Sequence, residues 1–151
     1  MEVMTRRRRT RILIDGSPEL RRAFSSAIRE SHAVVEVASP EPSLVMAKIR
    51  ETAKRSLFYL GEVLVTEAKV RLGHTMGLGL IAGDREEAAL DLAVIDAAFN
   101  AGLEICQEWH SRLEDEERCL AEAEESRQAQ LLQTRVAFQR MDSDWEETDG
   151  A

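Results

Sequence analysis

Asp96 stands inside an apolar run, Leu92-Ala93-Val94-Ile95 before it and Ala97-Ala98-Phe99 after it. A carboxylate in such a place is costly unless a cation or several donors meet it. The plain reading is an internal ion pair, with Arg71 or Lys69 as the partner; the chemical reading is a site residue. Cys106, His110 and Glu114 are spaced by four, which on a helix stacks a thiol, an imidazole and a carboxylate in one column. A zinc site needs three or four ligands, brought together from separate elements. His32 and His74 fall on other segments with no sign of convergence, so no metal site is assigned. Gly77-Leu78-Gly79-Leu80-Ile81-Ala82 has the letters of a dinucleotide fingerprint. That motif works only at a turn from strand into helix, where backbone N–H groups face a pyrophosphate. Here the helix start comes later, at Asp84, so the glycines read as a bulge or a close approach to a helix. Gly83-Asp84-Arg85 is better placed for an anion, but Asp84 repels one and reads as a cap. No Ser-His-Asp or Cys-His nucleophile arrangement is legible, so no catalytic residue is assigned.

The elements that must position these groups follow from periodicity. Ser17-Pro18-Glu19 is a helix start, and Leu20, Ala23, Phe24, Ala27 and Ile28 mark one face over 18–30. His32 to Val37 is β-branched and reads as a strand, closed by Pro40 and Pro42. A second strand is expected over 44–50 and a long third from Leu57 to Leu72, interrupted by Gly61. In the third, Ala68, Val70 and Leu72 face inward, and Glu67, Lys69 and Arg71 outward. Gly73 turns the chain into a fourth strand over 74–82. Such tight spacing means an antiparallel meander. Lys48 and Arg50 share a strand face, as do Lys69 and Arg71, so neighbouring strands would gather a four-cation patch; an ordinary solvated face is the plainer reading. Asp84 with Glu87 suggests a capping box before a helix that is apolar on two stripes, reaching Ile105 and Cys106. From Gln107 the chain turns charged, and the helical stripe thins to Trp109, Leu113 and Leu120. Val136, Phe138 and Met141 follow it with little core of their own to join.

Of 151 residues, 44% are apolar and 32% charged, which excludes a wholly disordered chain. No run approaches the ~18 apolar residues of a membrane span. The net charge of -8 is unevenly spread. Residues 1–30 carry eight basic and four acidic groups, whereas 104–151 carry five basic and 14 acidic ones. The acidic C-terminal third argues against nucleic acid, and Arg6-Arg7-Arg8-Arg9 reads as a solvated arm. Two cysteines 13 apart make no disulfide framework and suggest a cytoplasmic setting.

One ordered set of short motifs goes further. Leu60-Gly61-Glu62-Val63-Leu64-Val65-Thr66, then Val70-Arg71-Leu72, Gly77, Gly79, Gly83-Asp84-Arg85, Ala88, Ala93 and Ile95-Asp96-Ala97 resemble the PhnG family. Leu44-Val45-Met46 and the tail Val136-Ala137-Phe138-Gln139-Arg140-Met141 fit the same pattern, which covers about 18–141. The resemblance implies the G subunit of a carbon–phosphorus lyase system, working with H, I, J and L subunits. That assembly displaces adenine from ATP by an alkylphosphonate to give a ribose 1-phosphonate 5-triphosphate. This is a transferase of the ribose 1-methylphosphonate 5-triphosphate synthase type. ATP, with Mg, would be a substrate of the complex; no cofactor is expected on this chain alone. Gly61, Glu62, Thr66, Arg71, Gly83, Arg85 and Asp96 are the binding or subunit-contact candidates. Trp109, Val136, Phe138 and Met141 are the candidates for partner docking.

The expected fold is α+β: a mainly antiparallel four-stranded sheet packed on a buried helix, with an N-terminal helix and a long C-terminal helical arm. Residues 1–16 are expected to be a disordered basic arm, 17–106 the core, 107–141 a charged helical arm with a docking tail, and 142–151 a disordered acidic end. The expected role is scaffolding or site completion in the complex, as a homo-oligomer or dimer within it. The alternative is a homodimeric interaction module without a catalytic role. Neither reading involves a membrane or nucleic acid.

Overall fold

The computed structural model describes residues 4–133. Its order is α1 (Arg6–Asp15), α2 (Pro18–Ser31), β1 (Val34–Arg50), β2 (Leu57–Leu72), β3 (Thr75–Ala82), α3 (Glu86–Asn100) and α4 (Ile105–Gln133). The class is α+β as expected, but the described sheet has three antiparallel strands in the order β1-β2-β3, not four. The difference lies at Pro40 and Pro42. They were expected to break the chain into two strands, yet β1 runs through both. β1 is an edge strand, so a residue without an N–H can face outward at no cost to the ladder. Register shifts between Glu36 and Ala38 and between Ala38 and Glu41 absorb the irregularity.

The core lies between one face of the sheet and α3. Ala68, Val70 and Leu72 point into it, while Lys69 and Arg71 are exposed. Gly77 and Gly79 of β3 meet the alanine column of α3. A Cβ on Gly79 would stand 1.8 Å from the Ala89 carbonyl oxygen, and one on Gly77 would stand 2.1 Å from that of Ala93. The glycines therefore let a helix backbone lie against a strand, the close approach suggested by the sequence. Gly79→Ala is expected to destabilise the fold by about 1–3 kcal/mol through overpacking, read as a lower thermal midpoint with an unchanged far-UV spectrum.

The buried helix is shorter than its two stripes suggested. At its C-terminus the Leu103 N–H donates to the Ala98 carbonyl at 3.2 Å and the Gly102 N–H to that of Phe99 at 3.1 Å. Gly102 takes φ +68°. This is a Schellman stop, and Ala101-Gly102 was its signal. At the other end the cap position is Arg85, and Asp84 makes no capping bond.

Residues 5–16 do not form a loose arm. Thr5 accepts from the Arg8 N–H at 3.2 Å to start α1. Arg9, Ile12 and Leu13 of α1 are buried. The arginine run thus reads at helical period, with one side of it inward. The proximal part of α4 also packs at home: Trp109 is 4% exposed and Leu113 0%. Trp109 stacks on Phe24 with centroids 4.1 Å apart and an interplanar angle of 5°. Farther along, Glu116 accepts from the Ser17 N–H at 2.6 Å, and Glu117 pairs with Arg8 of α1. Trp109 is consequently a core residue and not a docking one. Val136, Phe138 and Met141 lie outside the described residues, as does 142–151.

Candidate partner interface

The seven binding candidates fall in four places. Thr66, Gly83 and Arg85 come together where β3 turns into α3. The Thr66 hydroxyl donates to the Gly83 carbonyl at 2.6 Å and accepts from the Arg85 N–H at 2.9 Å. This buried hydroxyl ties the start of α3 to β2, a structural clamp. Arg71 lies apart on the exposed face of the sheet.

Asp96 forms the third place. Its predicted partners were Arg71 or Lys69, but Lys69 pairs with Glu67 at 2.6 Å. The partners of Asp96 come from α1: Arg6 at 2.9 and 2.6 Å and Arg9 at 3.0 Å. The Leu78 N–H and the Asn100 amide donate to it as well, at 3.1 and 3.3 Å. Burial pulls the Arg9 guanidinium below its ordinary range, and the Asp96 carboxylate offsets part of that. Arg9 also lies 4.0 Å from the Phe99 ring centroid. The sequence could not pair Asp96 correctly while the arginine run was taken for solvent-facing.

Gly61 and Glu62 occupy the fourth place, a feature the sequence reading missed. β3 pairs with β2 only from Val65 to Leu72, whereas β1 follows β2 all the way out to Leu57. A two-stranded hairpin of eight β2 residues, about 25 Å at 3.3 Å per residue, therefore projects beyond the body. Cross-strand pairs share a face. Leu44 with Leu64 lies on one face and Val45 with Val63 on the other. Met46, Ile49, Leu57, Phe58, Tyr59 and Leu60 are likewise open to solvent, Leu44 at 60% and Leu60 at 63%. A bulge at Leu60, where the register shifts between Ala47 and Lys48, is followed by Gly61 at φ +152°.

An isolated two-stranded ribbon is marginal in water unless a further strand or a helix packs on it. This one is apolar on both faces. Contiguous exposed apolar surface of this kind marks a protein contact. By comparison, the distal arm of α4 offers as exposed large apolar residues Leu131 and Leu132. Among the described residues the limb with uncovered apolar faces is thus the hairpin, while the proximal half of α4 packs on its own body.

The four-cation patch does not form. Lys48 pairs with Tyr59, and Lys69 lies ten residues farther along β2, about 33 Å away. Cys106 is buried, its thiol pushed up to about 11 by desolvation, which opposes thiolate ligation. Among the described residues no three metal-ligating side chains gather. None of the described helices is long and apolar enough to cross a membrane.

The fold is a small sheet-and-helix body that carries an exposed apolar β-hairpin. A family model described as phosphonate metabolism protein PhnG matches residues 4–142, and the chain belongs to this family. No curated protein matches it.

Proposed function

We propose that the chain is a scaffolding or site-completing subunit of a phosphonate-processing complex, held in it by the β1–β2 hairpin. The observation that carries this reading is a 57–64 and 43–50 ribbon with large apolar residues on both faces and no cover from the described residues. Membership of a phosphonate-metabolism family supplies the chemical setting. The complex would displace adenine from ATP by an alkylphosphonate: the bond from the ribose anomeric carbon to adenine nitrogen breaks, and one to a phosphonate oxygen forms. Such a step needs cations around a triphosphate and assistance to the leaving base. The expected four-cation patch does not assemble as a triphosphate cradle, since Lys48 and Arg50 stand far from Lys69 and Arg71. Mg-ATP is therefore assigned to other subunits, of the H, I, J and L types, and this chain to their assembly. Two free cysteines, one of them exposed, suit a cytoplasmic setting.

Co-expression tests the reading. Produced beside its neighbouring I-type subunit, the chain is expected to elute with it as one species. Separate elution of both folded proteins at micromolar concentration contradicts it.

A further inference from the structure

We propose that the open edge of β2 over 57–63 receives an extended segment of the partner subunit, which adds to the sheet in line with β3. This rests on the docking reading above and specifies how the docking is made. The three edges of the sheet are treated differently. The edge of β3 is closed by α3: the Leu78 N–H donates to Asp96 at 3.1 Å, and the Met76 carbonyl accepts from Asn100 at 3.0 Å. Beside the body, up to Pro42, the outer edge of β1 is blunted by Pro40 and Pro42 and by two register shifts. The edge of β2 has neither device. β3 pairs with it as far as Ala82, the Gly83 N–H adds one bond to the Leu64 carbonyl at 2.9 Å, and the chain then leaves for α3. From there outward no described residue pairs with the edge of β2, which leaves a lane beside it bounded by apolar side chains on both faces.

The lane also states what fills it. A strand alternates its side chains between two faces. Its occupant must be apolar at successive positions, because Leu64 flanks one face and Val63 the other. Toward the tip it meets Lys48, Arg50, Lys54 and Arg55 against the single acid Glu51, so the occupant carries carboxylates at that end. A second copy of this chain suits the lane poorly. Among the described residues its acidic stretch lies in helix α4, and a copy of β2 would bring only Glu62 over 57–63.

The Leu64 carbonyl lies on the lane side of β2, where it accepts from the Gly83 N–H at the lane's inner end. By the alternation of antiparallel pairing the N–H groups of Glu62 and Leu64 point to that side too, while those of Val63 and Val65 point toward β1. Residue-resolved amide exchange on the full chain, free and in its co-purified complex, reads this directly. The Glu62 and Leu64 amides are expected to slow at least tenfold on complex formation, against little change at Val63 and Val65, which are already bonded. Glu62→Pro removes the lane donor and is expected to weaken the complex roughly tenfold or more; Glu62→Gln is expected to leave it intact. Retained slow exchange at Val63 and Val65 shows that the proline variant keeps its hairpin. A complex in which 62 and 64 exchange as in the free chain overturns strand addition and leaves docking through the faces. The same alternation in a dimer of the isolated chain makes a second copy the occupant and overturns the proposal. No complex at all overturns the docking reading itself.

Discussion

Leu44→Lys combined with Leu64→Glu is expected to weaken association with the partner subunit roughly 100- to 1,000-fold, with the body of the protein unchanged. Buried apolar anchors at the centre of an interface each contribute about 2 kcal/mol or more on truncation, and two of them reach this range. The residues are opposite each other, so the substitution places an opposite-charge pair across the strands and the ladder keeps its support. In the isolated chain both side chains are exposed, Leu44 at 60% and Leu64 at 46%. Exposed substitutions of this kind change stability by about 0.5 kcal/mol or less. Calorimetric titration, with the thermal midpoint as control, separates the two effects. Unchanged affinity would place the contact elsewhere.

Asp96→Ala is expected to cost about 3–5 kcal/mol of stability, because it leaves a buried guanidinium without its carboxylate. The side chain of Arg9 is 8% exposed and meets Asp96 at 3.0 Å; that of Arg6 is 59% exposed and can return to water. The penalty therefore resides mainly in Arg9. Adding Arg9→Met to Asp96→Ala is expected to recover part of the loss, so the double variant costs less than the sum of the two single ones. Denaturant unfolding of the four proteins completes the cycle. Additive losses would mean that the pair does not act as a unit. Faster amide exchange across 6–15 in the single variant would show α1 leaving the body, since the pair anchors that helix to α3.

The two variants separate what the sequence displayed from what it hid. The inward faces of β2 and α3 were legible because apolar residues recur there at periods of two and three to four, with turn signals at their ends. The roles of Gly77 and Gly79 were legible for a negative reason, since no helix opens directly after them. α1 was hidden: four consecutive arginines read as solvated, and only the buried positions of Arg9, Ile12 and Leu13 show a helix face. Pro40 and Pro42 misled because a proline is incompatible with a central strand but not with an edge one, and strand order is not a local property. The hairpin was visible as apolar strands and was assigned to the core. Periodicity shows that a face is apolar; it does not show whether the covering layer belongs to the same chain. Trp109 erred in the opposite direction, because its neighbours on α4 are charged while its ring meets Phe24 from a distant helix.

Hydroxyl-radical labelling of the free chain and of its complex decides where the second chain sits. Met46 and Tyr59 of the hairpin, both 59% exposed alone, are expected to lose at least nine-tenths of their labelling on assembly. Full labelling of both residues in a complex that instead shields Leu131 and Leu132 would move the contact to the distal helix and contradict the account.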